Sequence, residues 1–143
     1  MLKKAFVNGE EIPREAVQHE FERLARLYSE NGMTADELKK NVEKLLKQAQ
    51  DQAIGAKLLL LRANELNLSP DELVSKTCAG TPDPGEAEME EFYRTNKDVF
   101  GDAQFVQVQD KIRDFLRHAA RGKVLAAFIA ELREKAKVEY KDA

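Results

Sequence analysis

The sequence predicts a mainly all-α fold of about five helices, with a long C-terminal helix and a small two-stranded sheet pairing the two ends of the chain. Apolar residues recur at alternating three- and four-residue spacings through most of the chain, the period of a helix with one buried face. Gly and Pro, the main helix breakers, number only 7 and 4 among 143 residues, and the few runs that alternate like a strand lie near the termini. A chain of this length predicts one domain, residues 1–143, burying roughly two thirds of its unfolded surface.

The first element expected is a short strand at Ala5-Phe6-Val7, closed by Asn8-Gly9, a pair suited to the positive φ angles of a tight turn. Pro13 fits the first turn of a helix, and Val17, Phe21, Leu24 and Tyr28 then place one apolar stripe on a helix from about Arg14 to Glu30. Asn31-Gly32 ends it. Thr34 and Glu37 have the spacing of a capping box, opening a second helix whose seam of Leu38, Val42, Leu45, Ala49, Ala53, Ala56, Leu60 and Ala63 runs to about Asn67. Leu58 to Leu61 put four leucines in a row, which cover every side of a helix and must be packed on several sides or leave apolar surface exposed.

Ser69, Pro70 and Glu72 predict a second capping box and a short helix through Leu73 and Val74. The stretch from Cys78 to Gly85 reads as a loop and hinge, with Asp83 and Glu86 placed to cap a helix carrying Met89, Phe92 and Tyr93. From about Phe105 the final, long amphipathic helix bears Phe105, Val108, Ile112, Phe115, Leu116, Ala119, Leu125, Phe128, Ile129 and Leu132 at three- and four-residue spacings. Gly122 within it predicts a bend or the close crossing of another helix. Val138-Glu139-Tyr140 alternates as a strand does, and its natural partner is Ala5 to Val7.

Composition narrows the function. The hydrophobic share is 43% and the charged share 34%, the profile of a folded, helix-rich protein. The net charge is -3, and Lys and Arg are interleaved with Asp and Glu, so no basic stripe is available for phosphates and nucleic acid is not an expected partner. Membrane insertion is not expected either. One cysteine, Cys78, permits no internal disulfide. Met1 to Lys4 lead into Asn8, Gly9, Glu10 and Glu11 in place of the apolar core of a signal peptide. A native start at Met1 therefore implies the cytoplasm, and a removed export signal the periplasm.

No arrangement of residues points to catalysis. His19-Glu20 begins like a helical zinc motif, but the second ligand position holds Arg23. His118 has no Cys or His at ligand spacing, and with one cysteine and two distant histidines no nucleophile and base are paired in sequence. Glu86, Glu88, Glu90 and Glu91 read as a solvated face suited to a helix N-terminus. No glycine-rich loop follows a strand to cradle a nucleotide, and neither histidine has a second ligand at metal spacing, so neither a cofactor nor a metal is expected.

Four phrases, in order, resemble a known family. They are Phe6 to Ile12, the helix ending Leu58 to Leu73, the phrase from Phe92 to Phe100, and the closing run Phe128 to Val138. Together they resemble the chaperone domain of SurA-like, parvulin-containing folding factors, a SurA- or trigger-factor-like architecture. In that family a parvulin prolyl isomerase domain is inserted after the phrase matching Tyr93 to Phe100; here the chain passes from Phe100 to the returning helix across Gly101 to Gln104. No isomerase residue can be carried over. The resemblance implies ATP-independent binding of unfolded chains, in a family usually periplasmic.

The expected function is thus a non-enzymatic chaperone that holds unfolded or extended polypeptide in an apolar cradle. A helical scaffold is the alternative, its surplus apolar face used in a homodimer by exchange of the terminal helix across Gly80 to Gly85. A third reading is a fragment of a parvulin-type peptidyl-prolyl cis-trans isomerase. The residues expected to contact clients are Tyr28, Leu59, Leu61, Met89, Phe115 and Phe128, large apolar groups on or near faces that the seams do not clearly occupy.

Overall fold

A computed structural model describes residues 2–142. The fold is mainly α-helical, as expected, but finer in grain: the described residues form seven helices and a three-stranded antiparallel sheet. In chain order these are β1 (Lys4–Val7), β2 (Glu10–Glu11), α1 (Arg14–Glu30), α2 (Ala35–Lys40), α3 (Val42–Glu65), α4 (Pro70–Cys78), α5 (Glu86–Thr95), α6 (Lys97–Phe100), α7 (Phe105–Lys135) and β3 (Val138–Lys141). They gather into two compact units, one containing the residues up to Pro70 and from Ile129 onward, the other Asp71–Phe128.

In the first unit the chain ends pair as the sequence predicts, with Val7 opposite Val138 and Ala5 opposite Tyr140. The turn at Asn8-Gly9 adds a third strand that the short polar run Glu10–Glu11 did not announce, so the sheet order is β2-β1-β3. Asn8 sits at φ 51° and its backbone N–H donates to the Lys137 carbonyl at 2.8 Å. Its Oδ1 accepts from the Lys137 N–H at 2.9 Å. One turn residue therefore clamps the chain where α7 hands over to β3.

The stripe on α1 turns inward as expected, with Val17 and Leu24 buried and Phe21 and Tyr28 half-buried against the same core. Gly32, at φ 100°, follows the helix end, where Asn31 Nδ2 donates to the Leu27 carbonyl at 2.8 Å. The helix expected from Thr34 to Asn67 is interrupted: Asn41 ends α2 and precedes α3. Thr34 caps α2, accepting from the Glu37 N–H at 3.2 Å, but its hydroxyl also donates to the Glu37 carboxylate, in place of Glu37 reaching back to the Thr34 backbone.

On α3 the expected seam holds at Leu45, Ala49, Ala53 and Ala63, whereas Ala56 and Leu60 face solvent and Ile54, Gly55 and Leu58 are buried instead. A helix of 3.6 residues per turn drifts away from a single straight stripe, and α3 is covered from more than one direction. Gln50, buried beside these residues, donates from Nε2 to the Lys3 carbonyl at 2.7 Å, which gives the buried amide a partner and ties the residue before β1 to the helix. Gly55 marks the close approach: a Cβ there would meet Ile129 Cγ2 at 3.4 Å. The crossing anticipated at Gly122 is absent, since a Cβ there would meet nothing within 4 Å.

α4 begins at Pro70, as its sequence predicts, and from Asp71 onward belongs to the second unit. Asp83 does not cap α5; Gly85 takes the N-cap position and Asp83 pairs with Arg117 at 2.8 Å.

Candidate functional site

The second unit gathers five of its six aromatic residues where three helices meet. In α5 the spacing of Met89, Phe92 and Tyr93 sets one apolar face, and Glu86 and Glu88 in the first turn suit the positive end of the helix dipole. Asn96 ends α5, its Nδ2 donating to the Phe92 carbonyl at 2.9 Å. The single turn of α6 then ends at Gly101, whose φ of 57° and ψ of -126° suit a residue without a Cβ. At the entry to α7 the Gln104 N–H donates to Gln107 Oε1 at 2.8 Å.

These tight reversals bring five rings into a chain of contacts. Phe115 lies 5.2 Å from Phe92, Phe92 lies 6.2 Å from Phe100, Phe100 lies 5.5 Å from Tyr93, and Tyr93 lies 5.7 Å from Phe105, all between centroids. Edge-on and tilted arrangements of this kind suit the ring quadrupole. The Tyr93 hydroxyl donates to the Ala103 carbonyl, so the ring is held without leaving a buried polar group unpaired. Met89, Val108 and Ile112 form the buried floor. At the open end Phe115 is 58% exposed, and on the same unit Val99 and Val106 are 78% and 79% exposed.

The six residues expected to contact clients are divided between the units. Tyr28 and Leu61 are half-buried against the core of the first unit, and the Tyr28 hydroxyl donates to Gln48 Oε1 at 3.3 Å. Leu59 is half-buried on α3, while its neighbour Leu60 is exposed. Phe128 is half-buried near the end of the second unit. Met89 is corrected: expected on an open face, it is 3% exposed and part of the floor, because the turn at Asn96 folds α6 and α7 over that side of α5. Phe115 alone among the six is an exposed large side chain.

Sequence reading missed Phe92 as the supporting ring and Val99 and Val106 as exposed groups. Val99 lies in the single turn of α6, which ends at Gly101, and a helix that short has no face long enough to bury all its apolar groups. Val106 follows Phe105, whose ring takes the inward position, and so points elsewhere.

Among the described residues no three His, Cys, Asp or Glu side chains converge to hold a metal ion, and no helix is long and apolar enough to cross a membrane. His19 and His118 are exposed. Cys78 is buried, its Sγ 3.7 Å from the Arg121 carbonyl. A small pocket on the first unit is lined by Leu2, Glu43, Leu46 and Lys47, with its two charges one helical turn apart on α3.

Residues 3–111 match the family described as the SurA-like N-terminal domain, a span that runs from the first strand into the first two turns of α7. No curated protein and no solved structure gives a significant match.

Proposed function

This chain belongs to the family of SurA-like N-terminal domains, and on that premise we propose that it is an ATP-independent, non-enzymatic chaperone that binds unfolded or extended polypeptide. The observation that supports this reading is the exposed Phe115 ring, seated on Phe92 at the end of a chain of aromatic contacts. Burying a large apolar side chain contributes about 2 kcal/mol without regard to direction or sequence. After the costs of association and of ordering an unfolded segment, a few such contacts leave a weak and sequence-tolerant affinity. That is the affinity a holding chaperone needs, since it must accept many chains and release them.

The test is light scattering from a chemically reduced, aggregation-prone client. Suppression is expected at stoichiometric concentrations of this protein with no nucleotide present; an unchanged scattering trace defeats the proposal. A homodimer is the second reading, favoured by the exposure of Val99 and Val106. Sedimentation equilibrium distinguishes it, because a strict monomer across the micromolar range excludes a dimer and leaves the chaperone reading intact.

A further inference from the structure

The net charge of -3 is not spread evenly. Residues 71–128 carry 11 Asp and Glu against 8 Lys and Arg, whereas the rest of the chain carries 15 of each. All of the excess negative charge therefore belongs to the unit that bears the exposed ring. Within that unit two acidic groups adjoin the rings on α5: Glu88 is one helical turn before Phe92, and Glu91 is one turn after Glu88 and so beside it.

Glu86, Glu88, Glu90 and Glu91 are all exposed, and none enters an ion pair among the described residues. The helix dipole accounts for Glu86 and Glu88 in the first turn but not for Glu90 and Glu91, which lie beyond it. On the α7 side, Lys111 stands one turn before Phe115 and Asp114 directly beside it, so those two charges offset one another; His118, one turn beyond, is exposed. On α5 itself Arg94, exposed one turn beyond Glu90 and Glu91, offsets part of their charge, and the helix still carries four Glu against that one Arg, so the charge beside the Phe92–Phe115 pair is net negative.

We infer that the segment bound at this surface is an apolar or aromatic stretch flanked by Lys or Arg, its side chains burying against Phe115 and Phe92 while its cationic flanks face Glu88 and Glu91. The inference rests on the proposed chaperone function and specifies the chemistry of its client. Exposed charge pairs are individually weak, yet they select between partners and speed encounter more than they add affinity. Two of them give a preference of about three- to tenfold at low ionic strength, which fades as salt screens the charges.

Two fluorescein-labelled extended peptides with the same Leu-Phe-Val core, one flanked on each side by two lysines and the other by two glutamates, test it with the full chain by fluorescence anisotropy. The lysine-flanked peptide is expected to bind three- to tenfold more tightly at low salt, with the two converging near 1 M salt. The double variant Glu88→Gln/Glu91→Gln, checked for folding by circular dichroism, narrows the gap, whereas Glu10→Gln/Glu11→Gln on the first unit leaves it unchanged. Equal binding of the two peptides, or tighter binding of the glutamate-flanked one, overturns the inference while leaving the chaperone reading standing. Failure of both peptides to bind defeats the two together.

Discussion

The ring of Phe115 lies 5.2 Å from that of Phe92, centroid to centroid, with the two planes tilted by 37°. Phe92 is half-buried above Met89, so the pair runs from solvent into the core of the second unit. Phe115→Ala removes the exposed member and the ring contact, at a cost of about 1 kcal/mol in stability. It is expected to weaken suppression of client aggregation by at least half. Met89→Ala, which opens a cavity in the floor, lowers stability by about 2–5 kcal/mol. Urea unfolding measures the stabilities and light scattering the activity; retention of full activity by Phe115→Ala would remove that ring from the binding surface.

The same substitution at three glycines is expected to have three outcomes. At Gly122, where an added methyl group meets nothing within 4 Å, alanine stabilises α7 by about 0.5–1 kcal/mol through helix propensity alone. At Gly55 the methyl would contact Ile129 Cγ2 at 3.4 Å, so alanine is tolerated near neutrality but leucine overpacks the site and costs about 1–3 kcal/mol. At Gly101, held at φ 57° and ψ -126°, a sparsely allowed conformation for a residue with a Cβ, alanine strains the turn between α6 and α7 by about 1–3 kcal/mol. Thermal unfolding of Gly122→Ala, Gly55→Ala, Gly55→Leu and Gly101→Ala checks the order.

Asn8 combines a left-handed backbone with a side chain that accepts the Lys137 N–H, and the two contributions separate experimentally. Asn8→Gly keeps the backbone and loses only the side-chain bond, at about 0.5–1.5 kcal/mol. Asn8→Ala loses the bond and adds about 1–2 kcal/mol for the left-handed conformation. Hydrogen exchange at Lys137 is expected to quicken in both variants, and chemical denaturation to rank alanine below glycine; equal stabilities would show that the turn conformation is not what holds β3.

Thr34→Ala removes the acceptor for the Glu37 N–H at the start of the six-residue α2 and is expected to cost about 0.5–2 kcal/mol, with Thr34→Ser nearly neutral. Faster amide exchange at Glu37 in the alanine variant alone is the local readout.

Much of this architecture was already written along the chain. The limits of α1, the start of α4 at Pro70, the cap at Thr34 and the pairing of Ala5 to Val7 with Val138 to Tyr140 all follow from local chemistry: spacing, turn residues and strand alternation need no knowledge of distant neighbours. The break at Asn41 and the strand Glu10–Glu11 were less visible, because one asparagine inside a helical period and two adjacent glutamates carry little signal of their own.

The candidate site was legible only in part. Phe115 could be picked out as a large apolar residue beside a seam already filled by Ile112 and Leu116, but the same argument chose Met89, which is buried. Periodicity reports that a face is apolar and leaves open what covers it.

By itself, then, the sequence determined which stretches are helices, where most of them begin and end, that the chain ends meet, and which family the pattern resembles. Tertiary structure alone decided which of the surplus apolar groups remain in water: that Met89 lies beneath the rings, that Phe115 rests on Phe92 with most of its surface uncovered, and that Gly55 rather than Gly122 is the point of close approach. The reason is physical. Helix formation and capping are settled by residues within about four positions of one another, whereas burial depends on which remote surfaces the turns at Asn96 and Gly101 bring together.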